Sequence, residues 1–233
     1  CFWDTVMLGP QLTFIAAKKE VVEKYISQAK ALGFNVQGVS TSQIALFNVF
    51  IFNYPEELKV IILNIRSNAS DLLISEPGVL RNYPLPMGKA ELARGEEAAE
   101  RISAEVRRVI DAHYFQHSGT TKAAPNHLYL SGQYSPVILI PPLKKALSDF
   151  EIKALDPFKK ITLASGSAQN LPLGLSLSLG LGLQYFSAPG TLKVNLVKDI
   201  MKKKGRLANF ESLKKAGKFL VILGFIFFLV SDI

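Results

Sequence analysis

The sequence has one cysteine, at position 1, so no internal disulfide framework can staple the fold. That cysteine usage fits a reducing compartment. Three histidines are present, and only His113 and His117 stand at a chelating spacing, i and i+4 on a helical pattern. No cysteine or suitably placed acid accompanies them, since Asp111 points elsewhere on that helix, so no metal site is expected. There is no nucleophile elbow and no Ser/His/Asp arrangement around one. There is also no apolar run of the roughly 20 residues that a full bilayer crossing needs. The segment Phe219 to Val230 has twelve. No signal peptide opens the chain and no initiator methionine stands first, which makes a piece of a longer protein the expectation.

What is present is a 233-residue chain, 48% hydrophobic, with ordinary charge content, so it is globular. Its net charge of +8 is unevenly placed. From Thr191 onward nine Lys or Arg face three acids, a balance of +6, and the first 190 residues carry the other +2. The basicity therefore belongs to the tail. Aromatic residues are not interleaved with it, so no nucleic-acid partner is expected. Attraction to anionic lipid is the simpler reading.

Leu58 to Pro86 reads as three short strands and two tight turns. Val60 to Ile65 is apolar and β-branched, Arg66-Ser67-Asn68-Ala69 is polar, and Ser70 to Ser75 returns. Glu76-Pro77-Gly78 turns again and Val79 to Tyr83 makes the third strand. Upstream, Gln11 to Ala17 has strand character. Lys18 to Leu32 is an amphipathic helix with Val21, Val22, Tyr25, Ile26 and Ala29 on its apolar face. Gly33 caps it, and Phe34 to Ser40 reads as a further strand. Ser42 to Phe52 is a short apolar helix. Downstream, Gly95 interrupts a helical pattern from Lys89 to His117, with a stripe of Ala99, Ile102, Val106, Val109 and Ile110. His127 to Ser131 is a buried strand and Glu151 to Leu155 a short one. The helix after Pro136 is expected to be regular only from Leu143, because Pro141 and Pro142 interrupt it. Leu171 to Leu183 alternates strictly, which by period is a strand, yet Pro172 and a small-residue face of Gly174, Ser178 and Gly182 favour a helix.

The hairpin stretch resembles the phosphate hairpin of the actin-like ATPase superfamily, and most closely its PilM branch, the actin-like scaffold of type IV pilus assembly. The matching residues are Asn64-Ile65-Arg66-Ser67-Asn68-Ala69-Ser70. The run Ala16-Ala17-Lys18-Lys19-Glu20-Val21-Val22 with Ala31-Leu32-Gly33-Phe34 is similar to the small subdomain of the PilM and FtsA families. Leu130-Ser131-Gly132-Gln133-Tyr134-Ser135 resembles the family's adenosine loop. The helix assignment at 171–183 agrees with the family's corresponding segment. Leu192-Lys193-Val194-Asn195-Leu196-Val197 looks like the short peptide that begins PilN, the membrane partner whose cytoplasmic tail docks on PilM. A close rival is the GspL-type arrangement of type II secretion, an actin-like domain followed by a membrane helix.

The resemblance implies an α/β, actin-like (ribonuclease H-like) fold, partial, followed by a transmembrane helix. It implies a partial first lobe over 1–53, a second lobe over 54–190, a basic juxtamembrane linker over 191–218, and the start of a membrane helix over 219–233. It implies a degenerate nucleotide site at Asn64, Arg66, Ser67, Ser70, Ser131 and Gly132, and partner-binding residues at Val194, Asn195 and Leu196. Asn64 replaces an Asp that would help hold hydrated Mg²⁺. Arg66 fills the space of a Gly, though its guanidinium can pair a phosphate, and Gln133 replaces a second Gly. The expectation is a binding protein rather than an enzyme. No cofactor is expected, with ATP the alternative, as an ATP-binding or ATP-hydrolysing actin-like enzyme. The expected partners are PilN- and PilO-like platform proteins, the inner membrane and further copies of itself. The expected location is the bacterial inner membrane, with most of the chain on the cytoplasmic side.

Overall fold

The computed structural model describes residues 1–57, 59–117, 125–161 and 175–198. The expected membrane segment, Phe219 to Val230, and most of the basic tract lie outside them. Among the described residues no helix is long and apolar enough to cross a membrane. The chain divides into two compact units, both discontinuous in sequence. One holds Cys1–Asp4, Ala16–Val39 and the described residues from Asn195 on; the other holds Thr5–Ile15 and Ser40–Val194. The divisions expected at 53 and 190 were contiguous, and these units are not.

The larger unit is built on a five-stranded mixed sheet in the order β5-β4-β3-β6-β7. Its strands are β3 (Val60–Ile65), β4 (Ser70–Glu76), β5 (Val79–Leu85), β6 (His127–Gly132) and β7 (Glu151–Ala154). β3 pairs antiparallel with β4 and parallel with β6, and β6 pairs parallel with β7. Every residue of β3 is buried, as its unbroken Val-Ile-Ile-Leu run requires of a central strand covered on both faces.

Alternation along the strands sends side chains into two cores. Ile61, Leu63, Ile65, Leu72, Ile74, Leu128 and Leu130 meet α4 (Glu96–His117) and α5 (Pro136–Ala146). Val60, Ile62, Leu73 and Tyr129 meet α2 (Ser42–Asn53), with α6 (Ser176–Tyr185) packed beside them. The predicted stripe of α4 is buried in full. Gly95, at φ +108°, separates α4 from the short α3 (Lys89–Leu92). α5 departs from expectation. It runs regularly from Pro136 across Pro141 and Pro142, because Leu139, Pro142 and Leu143 all bury in the core and offset the lost backbone bonds.

α6 is helical where alternation read as strand. Its tight face is not the expected one: Ser178 is exposed, and Ser176 and Gly180 are buried. Every even position from 174 to 182 is small, so the sequence offers two helical columns on opposite faces. The one that packs is chosen by α2. A Cβ on Gly180 would stand 1.8 Å from the Ala45 carbonyl oxygen, whereas one on Gly182 would meet nothing within 4 Å.

In the smaller unit, α1 (Lys19–Ala31) ends as the sequence foretold, with Gly33 at φ +82° and Phe34 N–H donating to Ala29 O at 3.0 Å. Its buried face is narrower than expected. Val22 is buried, Ile26 and Ala29 are half-buried, and Val21 and Tyr25 are exposed. Phe34 to Ser40 forms no strand; Val39 instead spends its N–H and C=O on Asn195 and Leu196. A two-stranded sheet of β1 (Phe2–Leu8) and β2 (Gln11–Ala17) contributes residues to both units, and β1 was not foreseen.

Candidate functional sites

Two sites emerge, one in each unit. The first lies at the C-terminal ends of the parallel strands β3 and β6, where open α/β sheets commonly present ligands. Register puts Asp71, Asn64 and Ser131 in one row across β4, β3 and β6. All three are buried. Ser131 Oγ donates to Ser176 Oγ at 3.3 Å, which brings the first turn of α6 to the row. A cleft of about 110 Å³ opens there, lined by Asn64, Arg66, Ser67, Ser131, Gly132 and Ser176 among others. Five of the six expected nucleotide-site residues therefore converge. The sixth, Ser70, does not: it is fully buried and its hydroxyl donates to Met87 O at 2.6 Å.

The turn between β3 and β4 is gripped from outside. Lys89 N–H donates to Arg66 O at 2.8 Å and Ala90 N–H to Ser67 O at 2.9 Å. Gly88 makes this approach possible, since a Cβ there would stand 2.5 Å from Ala69 N. Arg66 Nε lies 2.8 Å from Asp71 Oδ2, an ion pair rather than a well-aligned hydrogen bond. Asn82 Nδ2 donates to the other Asp71 oxygen at 3.2 Å. The guanidinium, expected as a phosphate partner, is thus engaged by its own hairpin. Gly132 sits at φ +91°, and a Cβ there would be 2.0 Å from Ile65 O. Tyr134, expected to add bulk at this site, packs instead against the α4/α5 core, where burial pushes its phenol pKa up. Pockets for drug-sized ligands run to roughly 300–1,000 Å³, so the cleft that the described residues line has room for a small anion or a few waters.

The second site is in the smaller unit. Asp4 is 4% exposed. One of its oxygens accepts from Asn195 N–H at 2.8 Å and the other contacts Lys198 Nζ. Asn195 Oδ1 accepts from Val39 N–H at 3.1 Å and from Val197 N–H at 3.2 Å. Leu196 N–H donates to Val39 O at 2.9 Å. The Asn195 amide lies over Gly38, where a Cβ would come within 3.3 Å of it. Leu196 and Val197 are buried. A peptide of four residues is therefore held by the Asp4 carboxylate, the Val39 backbone and the close approach that Gly38 allows.

In the larger unit, two asparagines of α2 do work that was not foreseen. Asn48 clamps Leu192, donating to its carbonyl at 3.0 Å and accepting from its N–H at 2.7 Å. Asn53 donates to Pro157 O at 3.0 Å and accepts from Lys160 N–H at 2.8 Å. Val194, buried, accepts at its carbonyl from Gln184 Nε2 at 2.7 Å. The available signal was two asparagines set among the apolar residues that follow Gln43, because a buried amide needs hydrogen-bond partners.

No metal centre appears among the described residues. His113 is buried with its Nδ1 2.7 Å from Tyr83 OH, so it serves the core; the side chain of His117 lies outside the described residues.

A chain of the solved PilM-PilN type IV pilus biogenesis complex superposes over 78% of this chain with a TM-score of 0.64 and 14% identity. The fold is PilM-like. At that identity the likeness establishes an actin-like fold and nothing finer, and this chain spans 66% of the length of the matched one. The ethanolamine utilization protein EutJ from Carboxydothermus hydrogenoformans overlaps 72% of this chain and 62% of its own, at a TM-score of 0.45 and 12% identity, too weak a likeness to carry an argument. No protein-family model matches the sequence. No curated protein matches it either.

Proposed function

We propose that this chain is a binding scaffold of a type IV pilus assembly platform. A PilM-like body with a degenerate nucleotide site is attached to the inner membrane through the segment beginning at Phe219, with that body on the cytoplasmic side. The chain carries its own PilN-like peptide and holds it in cis. The observation that supports this is the seating of Asn195 to Lys198 on Asp4, Gly38 and Val39. A peptide recognised by a buried carboxylate and by backbone pairing has the chemistry of strand-like peptide capture. Its work is holding PilN- and PilO-like partners and passing contacts across the membrane, not turnover. The engagement of Arg66 by Asp71 and the small cleft support binding over hydrolysis. A GspL-like role in type II secretion shares this arrangement and differs in its partners.

Membrane fractionation with carbonate washing tests the attachment, comparing the natural full-length protein with a copy ending at Ala216. Retention of the first and release of the second is the expected result. Release of both overturns the tethered scaffold and favours a soluble actin-like enzyme or filament.

A further inference from the structure

We propose that the smaller unit itself seats on an anionic bilayer surface, through Trp3 and the exposed stripe of α1. This rests on the membrane attachment proposed above and adds a second contact to it. Trp3 is 49% exposed, and Lys198 Nζ stands 5.8 Å from its ring centroid. On α1 and its C-cap, Val21, Tyr25 and Leu32 fall within one narrow stripe, and they are 47%, 65% and 75% exposed; Phe34 follows at 66%. Tryptophan, tyrosine and phenylalanine beside lysines is the side-chain set that favours the headgroup boundary, with rings in the apolar margin and ammonium groups at the phosphates. Lys18, Lys19, Lys24 and Lys30 outnumber Glu20 and Glu23 on this stretch.

The course of the chain decides for lipid over a protein partner. The described residues end at Lys198, against Trp3. Beyond it come Lys202, Lys203, Lys204, Arg206, Lys214, Lys215 and Lys218, and then the apolar segment from Phe219. Residues 199–218 span at most roughly 70 Å when fully extended. An anchor at Phe219 therefore confines Trp3 to about that distance from the bilayer, which raises the effective concentration of lipid surface around it. Each lysine near an anionic leaflet adds to that attraction.

Trp3 is the sole tryptophan, so its fluorescence reports this contact without substitution. The full 233-residue chain is reconstituted with vesicles of phosphatidylglycerol and phosphatidylethanolamine, some carrying lipids brominated near the headgroup end of the acyl chain. The expected result is a blue shift of Trp3 emission and quenching by those lipids, both weaker on neutral phosphatidylcholine. Val21→Asp together with Tyr25→Asp, on exposed positions that leave the core intact, should reduce the shift without releasing the protein from the vesicles. If the chain floats with vesicles while aqueous acrylamide quenches Trp3 as fully as without lipid, this contact is overturned and the attachment stands. If the chain does not float, the attachment fails and takes this contact with it. A blue shift without bromine quenching overturns it in favour of a second copy covering Trp3.

Discussion

The Arg66 guanidinium and the Asp71 carboxylate face each other at 2.8 Å across the turn of one hairpin, the arginine 45% exposed and the carboxylate 5%. A near-buried anion beside the cleft is thereby neutralised from within. Arg66, the side chain that the sequence offered for phosphate, meets the cleft already paired through its Nε. Removing the arginine leaves a desolvated carboxylate without its cation. Arg66→Ala should lower stability by roughly 1–3 kcal/mol, and Asp71→Asn in the same chain should recover most of it. Denaturant midpoints of the two single variants and the double variant measure the coupling. Additive effects would show that the pair is not coupled.

Gly132 carries the cleft's geometry. It needs both a left-handed backbone and the absence of a Cβ, which would stand 2.0 Å from Ile65 O. Gly132→Ala should therefore cost about 2–4 kcal/mol, beyond the usual range for a surface substitution. A thermal melt within a degree of the parent would mean that the β6 end relaxes freely.

The two glycines of α6 give opposite expectations. Gly180→Ala drives a methyl against the Ala45 carbonyl and should destabilise the α2–α6 contact. Gly182→Ala meets nothing within 4 Å, and should stabilise the helix by up to about 1 kcal/mol through propensity alone. Equal shifts in melting temperature would contradict the packing.

These helices also show how far the sequence could be read. Strand β3 announced itself, because the unbroken apolar run Val60 to Leu63, continued by Ile65 and bounded by turn signals, has few other uses. The stripe of α4 was legible for the same reason: one period, one face. α6 was harder. Its small residues fill two opposed columns, and only the position of Ala45 on another helix selects between them. Phe34 to Ser40 has strand composition, yet the side-chain amide that accepts from Val39 N–H belongs to Asn195, 156 residues away, and no local pattern encodes that pairing. At the hairpin cleft, residue type named Asn64, Arg66, Ser67, Ser131 and Gly132 together. It did not foresee that Ser70 turns to Met87 or that Arg66 is consumed by Asp71, since both depend on register.

The docked peptide gives a prediction of order as well as stability. Asn195 Oδ1 holds Val39 and Val197, and Asp4 holds Asn195 and Lys198. Asn195→Ala should release the peptide, leaving the buried Asp4 with fewer donors, at a cost of about 1–3 kcal/mol. Amide hydrogen exchange should rise at Val39, Leu196 and Val197, and remain unchanged in β3 and β6. Unchanged exchange at Val39 would show that Asn195 is not what holds it.

Tyr129 contributes to the alkaline limit. Its ring is buried among Phe50 and Tyr54, and its hydroxyl donates to Glu57. Burial first, and then the neighbouring carboxylate, push the phenol pKa above its ordinary value. Tyr114 is raised in the same way, by burial and by Glu76. In the unfolded chain these phenols ionise near pH 10, whereas the folded state holds their protons to higher pH. The unfolded state then binds fewer protons, so stability falls as pH rises past about 10. Below that pH both states are protonated and the contribution is fully present. Tyr129→Phe removes one of four phenols whose pKa is raised, Tyr83, Tyr114 and Tyr134 being the others, so it should be less stable at neutral pH through the lost Glu57 bond, yet lose stability less steeply as pH rises above about 10. Thermal melts of the parent and the variant across that range give the two slopes. Parallel slopes would mean that Tyr129 does not carry the alkaline transition.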